Sequence, residues 1–192
     1  ATAVQSVTVV DAESPVIVAV EDITTSNNEG SCDAALSITP PNVSDNCNEL
    51  TATGTRDDGL DLDALYPVGT TQITWTATDA AGNDADEVVQ SVTVEDNEAP
   101  QITAPANITI QLQAGEEPAS DVELGTPTTS DNCWVDDVSN DAPASFPIGT
   151  TTVTWTVTDV NGNTATDTQI VSVIPADSET ELPTVTAPAD VL

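Results

Sequence analysis

The stretch GTTTVTWTVTD, residues 149–159, decides the fold class because its residues alternate between two chemical types. Val153, Trp155 and Val157 occupy one set of alternate positions, and threonines occupy the positions between them. Successive side chains of a β-strand point to opposite faces, so a period of two predicts one buried face and one solvent face. β-Branched residues also favour strands. The stretch therefore predicts a half-buried β-strand.

This strand and its flanking residues occur twice in the chain. VGTTQITWTATDAAGNDA (residues 68–85) matches IGTTTVTWTVTDVNGNTA (residues 148–165), and VSDNC (43–47) matches TSDNC (129–133). A third pair is formed by SVTVVDAESP and SVTVEDNEAP. Self-similarity at a fixed period is the signature of a repeat architecture. The chain is therefore a tandem array with a period of about 85 residues.

The repeats divide the chain into two complete units with part of a unit at each end. We predict the last strand of a preceding repeat at 1–10 and a first complete repeat at 11–95. A second complete repeat follows at 96–176, and 177–192 is predicted to be the first strand of a following repeat. We interpret the chain as an excerpt from a longer repetitive protein. The alternative is exchange of an orphan terminal strand between subunits of a filament.

Other parts of each unit also show strand patterns. ITAPANITIQL (102–112), DVELGTPTT (121–129) and TQIVSVI (168–174) read as strands, separated by turns rich in Asp, Asn, Gly and Pro. No segment has a useful length of helical periodicity. Several short antiparallel strands in a unit of this size predict an all-β fold of tandem immunoglobulin-like β-sandwiches in an elongated array. Trp75 and Trp155 are then the predicted core anchors.

The charge of the chain excludes several classes of function. The 192 residues include 33 Asp and Glu, one Lys or Arg and no His, which gives a net charge of −32. Nucleic-acid binding and contact with anionic membranes both need cationic side chains, so we expect neither, and no membrane insertion. The absence of His and Lys removes the common acid–base and Schiff-base chemistries. Self-repulsion opposes compaction, so bound cations are expected to offset it.

The motifs TSDNC, FPIGTTTVTWTVTDVNGNTAT and VEDNEAP resemble those of the hyalin repeat, the HYR module. The resemblance covers both complete units. It implies an extracellular immunoglobulin-like module associated with adhesion at the cell surface. The acidity and the long array are similar to those of large bacterial surface adhesins, so we expect a module of that kind. VEDNEAP also resembles the calcium-binding linker of cadherins.

The cysteines depart from the family pattern, since typical hyalin repeats have four and this chain has three in all. If DAALSITP, between Cys32 and Cys47, is an extended strand, its ends are about 25 Å apart. A disulfide needs Cα atoms within about 7 Å. In the second unit Pro118 stands where the first has Cys32, so we expect no disulfide for Cys133 within its own unit. The sequence therefore predicts no disulfide within either complete unit.

The acidic joints and two loops of each sandwich are expected to meet at the pole where the chain enters the unit. Hard oxygen ligands without His suit Ca²⁺, which takes six to eight of them. Turn chemistry and simple solvation are the alternative for each motif taken alone. The predicted metal ligands are, for the first unit, Asp11, Glu13, Asp45, Asp79 and Asn83, and for the second, Asp96, Asn97, Glu98, Asp131, Asp159 and Asn163.

Two classes of function follow from this reading. The first is a structural module in a cell-surface adhesin stalk or an extracellular filament, with calcium at its joints and with neighbouring repeats, other copies or surface ligands as partners. The second is a carbohydrate- or surface-binding module, which would need exposed aromatic side chains at Trp134 and Tyr66. For Trp134 we favour packing across the joint over sugar binding. We expect no enzyme, because the acidic residues recur with the repeat whereas a catalytic pair occurs once.

Overall fold

The computed structural model of the chain describes residues 2–176, and this part contains strands, turns and loops but no helix. It accordingly has no helix of the length and apolar character that a membrane span requires. The chain divides into two compact units, Ala1–Glu98 and Ala99–Leu192. The predicted all-β fold with tandem units is confirmed. The strand predicted at 177–192 lies outside the described residues.

The first unit contains a four-stranded sheet of order β2-β8-β7-β5 and two small sheets, β1-β4 and β3-β6. Strand β2 runs parallel to β8, and the other pairs are antiparallel. The strands are β1 Val16–Ile17, β2 Ile23–Ser26, β3 Asp33–Ala34, β4 Val43–Ser44, β5 Thr53–Arg56, β6 Tyr66–Pro67, β7 Gly69–Thr76 and β8 Val88–Glu95.

The second unit repeats this topology with a sheet of order β10-β16-β15-β13 and the small sheets β12-β9 and β11-β14. Here β10 runs parallel to β16. The strands are β9 Gln101–Thr103, β10 Ile108–Gln111, β11 Ala119–Ser120, β12 Thr128–Ser130, β13 Val135–Asn140, β14 Ser145–Phe146, β15 Gly149–Asp159 and β16 Thr164–Ile174.

Each unit has its own hydrophobic core between its large sheet and its small sheets. In the first, Trp75 and Tyr66 are fully buried among residues such as Ile73 and Val92. In the second, Trp155 packs with side chains that include Phe146, Val153 and Val171. The predicted roles of the two tryptophans as core anchors are confirmed, and so is the alternation along β15. Burying one large side chain contributes about 1.5–3 kcal/mol, so these few aromatics account for much of each core.

Several segments that the sequence analysis treated as strands are not continuous, and ITAPANITIQL forms two strands, β9 and β10, with residues 104–107 between them. DVELGTPTT forms a strand only from Thr128 onward, in β12. Asp121 and Gly125 have φ values of 55° and 86°, in the left-handed region, and this conformation ends an extended run. DAALSITP is a strand only at Asp33–Ala34. The predicted strand at DVELGTPTT was therefore wrong over most of its length, and the condition that DAALSITP is one extended strand is not met.

The segment 2–10 has nearly the sequence of β8 but forms no strand. β8 lies between β2 and β7, which bind both of its edges. Segment 2–10 has no such partner in the described part of the chain, and its valines Val4, Val7 and Val9 are more than three-quarters exposed. The same sequence is thus a strand only where neighbouring strands satisfy its backbone. That this segment ends a preceding repeat stays a prediction.

Candidate metal centre

Three carboxylates of the first unit converge at one place. Asp11 lies in the segment before β1, Asp45 in the loop after β4, and Asp79 in the loop between β7 and β8. One carboxylate oxygen of each lies within 4.8 Å of those of the other two. Separate segments of the chain therefore bring three of the predicted ligands of the first unit together.

Asp79 is held by the turn TDAAGN that follows β7. Its Oδ1 accepts hydrogen bonds from the backbone N–H groups of Ala81 and Asn83, both at 2.8 Å, and its Oδ2 accepts one from Asn83 Nδ2 at 2.7 Å. Gly82 has a φ of 91°, which only glycine adopts readily, and it closes the turn. The sequence therefore fixes the direction of this carboxylate through local turn chemistry.

Asp45 is held in the same manner by the turn that contains DNC. Its Oδ2 accepts hydrogen bonds from the N–H groups of Cys47 and Asn48, both at 3.0 Å. Its Oδ1 is buried and has no hydrogen-bond partner among the described residues. A buried oxygen without a partner costs about 1–3 kcal/mol, so a water molecule or an ion is expected to satisfy it.

The other two predicted ligands of the first unit, Asn83 and Glu13, hydrogen-bond to members of the cluster. Asn83 donates through Nδ2 to the backbone oxygen of Asp11 at 3.5 Å as well as to Asp79. Glu13 accepts a hydrogen bond from Asn46 Nδ2 at 2.8 Å, and its own N–H binds Asp11 Oδ1 at 3.1 Å. Both residues therefore orient the segment that carries Asp11.

The second unit reproduces both turns with its own residues. Asp131 Oδ2 accepts from the N–H groups of Cys133 and Trp134 at 2.8 and 2.9 Å, and Asp159 binds Asn161 and Asn163 as Asp79 binds its own loop. Asp131 Oδ1 is buried without a hydrogen-bond partner in the part of the chain that the structure describes. One oxygen of Asp131 lies within 4.8 Å of one of Asp159.

The pKa values of the two turn carboxyls follow from these contacts. For Asp79, the hydrogen bonds from the side chain and backbone of Asn83 lower the pKa. For Asp159, burial acts to raise the pKa, and the hydrogen bonds from Asn163, Asn161 and Gly162 outweigh burial, so the pKa is again lowered. Hydrogen bonds to a carboxylate favour its charged form. Both groups are therefore held as anions, the form that binds a cation.

Three predicted ligands follow β8 in the first unit. Asn97 donates to Ser26 Oγ at 3.0 Å. Glu98 accepts hydrogen bonds through Oε1 from the N–H of Gly30 at 2.8 Å and from Asn27 Nδ2 at 3.2 Å. Asp96 Oδ1 accepts one from the N–H of Glu98 at 3.1 Å. Because Asp131 and Asp159 belong to the other unit, the predicted second ligand set stays a prediction from the repeat.

The chemistry of the cluster fits Ca²⁺. All donors are hard oxygens, which suit Ca²⁺ better than a thiolate- or imidazole-binding metal. Two carboxylate charges 4.8 Å apart repel by about 1 kcal/mol in water and by a few kcal/mol in a less polar setting. A divalent cation bound there would reverse the sign of this interaction energy and would give Asp45 Oδ1 a partner. The spacing of the carboxylates and the type of donor atom are therefore both compatible with Ca²⁺.

Cys47 lies beside this cluster, and sequence reasoning did not place it there. It is a free, exposed thiol, so it forms no disulfide with Cys32, as the sequence predicted. A hydrogen bond with Asp11 raises the pKa of the thiol most, and desolvation by its neighbours and the negative charges of Asp11, Asp45 and Asp79 raise it further. The thiol therefore stays protonated.

The two residues that would identify a binding platform differ in their exposure. Tyr66 is fully buried under the Arg56 guanidinium, whose central carbon lies 3.9 Å from the ring centroid. Trp134 has 72% of its surface exposed, and its backbone oxygen accepts a hydrogen bond from Val160, which is 54% exposed. Of the two aromatic side chains that a binding platform would need, Tyr66 is therefore buried and Trp134 is open to solvent.

Comparisons with known proteins identify relatives of the repeats. The family model described as HYR domain matches residues 10–94 and 95–173. Hyalin of Strongylocentrotus purpuratus is 34% identical over 119 residues, which cover 59% of this chain and 10% of that protein. Hyalin of Lytechinus variegatus is 35% identical over 133 residues, 67% of this chain and 24% of that protein.

Two further likenesses are more remote. The mouse protein Sushi, von Willebrand factor type A, EGF and pentraxin domain-containing protein 1 is 33% identical over 167 residues, 85% of this chain and 4% of that protein. The chain thus spans a quarter or less of the length of each of these three relatives. Human mucin-like protocadherin EC1-2 superposes with a TM-score of 0.40 and 13% identity, over 86% of this chain and 100% of that one. That superposition is too poor to carry an argument.

Proposed function

This chain belongs to the HYR domain family, and we propose that it is a structural repeat module of a cell-surface adhesin stalk or extracellular filament whose joints are stiffened by calcium. The coarser part of this function follows from the family: the chain is an extracellular, adhesion-type repeat module at the cell surface. An enzymatic role does not fit such a family. Calcium at the joints and a role as a stalk go beyond what the family establishes, and a separate observation supports each of them.

The observation that carries the calcium proposal is the convergence of Asp11, Asp45 and Asp79, with Asp45 Oδ1 buried and without a partner. In a chain of net charge −32, three carboxylates this close oppose folding unless a cation binds them. Asp79 and Asp45 are pre-oriented by backbone N–H groups, so little ordering is left for the binding step. Bound Ca²⁺ would supply positive charge and further coordination to the three carboxylates.

Stiffening follows from where Asp11 lies. It belongs to the segment that leads into the first unit, whereas Asp45 and Asp79 belong to loops of the folded unit. Tying the three residues together fixes the direction in which the chain enters the unit. By equivalence of repeat positions, Asp96 would act in the same way with Asp131 and Asp159, and Asn163 would orient Asp159. A long array of such units would then extend as a stalk.

A carbohydrate- or surface-binding module remains the second candidate, and the exposure of Trp134 favours it. An indole with 72% of its surface exposed offers an apolar face for a sugar ring or another surface. The burial of Tyr66 counts against it, because Trp134 then stands without the second aromatic side chain that the platform needs.

Calcium binding is tested by thermal unfolding of the 192-residue chain in chelator and in increasing CaCl₂ at constant ionic strength. A ligand that binds only the folded state raises the free energy of unfolding by RT ln(1 + [L]/Kd), about 2.7 kcal/mol at 100 times Kd. We expect the melting temperature to rise with CaCl₂, and small-angle scattering to report a longer, less variable particle. If NaCl of equal ionic strength raises the melting temperature by the same amount, the effect is general screening of the acidic side chains and the proposal fails.

A further inference from the structure

The outward face of the four-stranded sheet in the second unit carries a regular array of threonines. Because Val153, Trp155 and Val157 of β15 are buried, the residues between them face away from the core. Neighbouring strand β16 places more threonines directly opposite. The result is three cross-strand pairs: Thr154 with Thr168, Thr156 with Thr166, and Thr158 with Thr164.

The same face is partly apolar and its centre is uncharged. Ile170 lies opposite Thr152 and is 39% exposed, and Ile174 lies opposite Gln111 and is 42% exposed. The outward residues of β15 and β16 include no acid in the described part of these strands. Two acids lie at the margin: Asp137, on the edge strand β13, is opposite Thr158, and Asp141, just beyond that strand, accepts a hydrogen bond from the N–H of Thr154 at 2.6 Å. The face therefore combines hydroxyls, threonine methyls and two isoleucines.

Charge decides what can cover this face. Two copies of a chain with net charge −32 repel each other, and carboxylates are costly to desolvate in an interface. Salt screens exposed charges beyond about 8 Å at physiological ionic strength, so repulsion acts mainly on acids that come close together. A face whose acids lie at its margin is where two copies can approach closely. Threonine hydroxyls can then hydrogen-bond across the contact while the threonine methyls and the isoleucine side chains become buried.

We propose that this threonine face binds the same face of a second copy of the chain, so that modules associate side by side. The contact is isologous, with Thr156 near its two-fold axis. Four strands about 4.8 Å apart and up to eleven residues long give a face of roughly 500 Å² per copy, about 1,000 Å² in total. That area is at the low end for specific interfaces, so the dimer is weak, with Kd in the micromolar to millimolar range. This inference goes beyond the proposed function and does not depend on calcium.

Sedimentation equilibrium of the 192-residue chain tests it. We expect the mean mass to rise from 19.7 kDa toward twice that value with protein concentration, and more steeply at higher NaCl, since salt screens the repulsion. The double substitution Thr156→Glu and Thr166→Glu should weaken association at least tenfold. The control is Thr126→Glu with Ala144→Glu, which adds the same charge at exposed positions of the same unit outside the four-stranded sheet.

Circular dichroism checks that both double variants are folded. If the face variant does not fold, dilution of the wild-type chain gives the second readout, because threonine methyl NMR signals of β15 and β16 should shift selectively as the dimer dissociates. The proposal is overturned by a monomer at every concentration and salt, or by equal effects of the two double variants. A dimer that the face variant leaves intact, as exchange of a terminal strand would give, also overturns it.

Discussion

Trp155 donates a hydrogen bond from Nε1 to Gln169 Oε1 at 3.2 Å inside the second unit, and Trp75 makes the same bond to Gln90 in the first. The amide of Gln169 also donates to the backbone oxygens of Ala106 and Leu124, at 2.8 and 2.9 Å. One buried glutamine thus satisfies the indole N–H and two carbonyls, one just before β10 and one in the loop before β12. The large aromatic and its polar partner are a single structural element of the repeat.

Replacing Gln169 should therefore destabilise the second unit strongly. Gln169→Ala removes a fully buried side chain and leaves the indole N–H and two carbonyls without partners. Unsatisfied buried groups cost about 1–3 kcal/mol each, partly relieved by water, so we expect a loss of about 3 kcal/mol. Denaturant unfolding followed by tryptophan fluorescence measures it. Thr168→Ala, at the exposed neighbouring position, is the control and should change stability by less than about 0.5 kcal/mol.

Arg56 organises the loop 57–65 in the first unit, although it is the one cation of the sequence. Its side chain is fully buried, and its N–H groups bind both oxygens of Asp58 and the backbone oxygens of Asp61, Ala64 and Leu65. Removing one partner of a buried ion pair costs about 3–5 kcal/mol. We expect Arg56→Met to lose about 3 kcal/mol of unfolding free energy by calorimetry.

Asp58→Asn is the companion variant for that prediction. Asp58 is 27% exposed, so water can replace part of its interactions. Without its charge, Arg56 still has three carbonyl partners and the face of Tyr66. Its cost should be clearly smaller than that of Arg56→Met. Equal losses would mean that the ion pair, and not the wider clamp on the loop, is what matters.

The sequence predicted those features that depend on local pattern. Alternation along residues 149–159 fixes a two-faced strand, and the repeat transfers that result to β7. The alternation of residue types failed to predict where an extended strand is interrupted by a residue with left-handed dihedrals, as at Asp121 and Gly125. An alternation of residue types carries no information about such dihedrals. The burial of Arg56 and Tyr66 together depends on a contact within one loop, and no periodicity encodes it.

The candidate site was predictable in part for the same reason. Asp45 and Asp79 stand in turns whose residues recur in both units, so their positions could be inferred from the repeat and the topology. The sequence could not distinguish carboxylates that converge from those that hydrogen-bond nearby. Glu13 and Glu98 are spaced like ligands and each accepts a hydrogen bond from a loop of the first unit, so their part in metal binding stays a prediction. That choice depends on three-dimensional distances of a few ångströms.

Asp167 provides a pH test that does not involve the metal cluster. Its Oδ2 accepts from the N–H of Ala104 at 2.7 Å and its Oδ1 from that of Thr168 at 2.8 Å, and these bonds lower the pKa of the carboxyl. A lowered folded-state pKa means that the unfolded chain binds more protons in acid. The stability due to Asp167 is therefore present above its unfolded pKa, about 3.9, and is lost as pH falls through the folded value.

We expect Asp167→Asn to lower the melting temperature near neutral pH and to reduce the fall in stability between about pH 5 and pH 2. Thermal melts of both proteins across this range, in chelator, give the two slopes. Asp136→Asn, at an exposed position of the same unit, is the control and should preserve the wild-type slope. A slope that Asp167→Asn leaves unchanged would show that the hydrogen bonds to Ala104 and Thr168 contribute nothing in solution.

Asp45→Asn should have opposite effects on stability without and with calcium. Without calcium it removes one of three charges whose oxygens lie within 4.8 Å, and each such repulsion is about 1 kcal/mol or more, so the melting temperature should rise or stay constant. With calcium it removes a charged ligand, so the increase that CaCl₂ produces should be largely lost. Asp63→Asn makes the same charge change at an exposed loop position of the same unit and should keep the full increase.

Differential scanning calorimetry in chelator and in CaCl₂ measures both effects. Destabilisation of Asp45→Asn by the same amount in both solutions would mean that Asp45 acts through its bonds to Cys47 and Asn48 alone, and the calcium proposal for the first unit would fall.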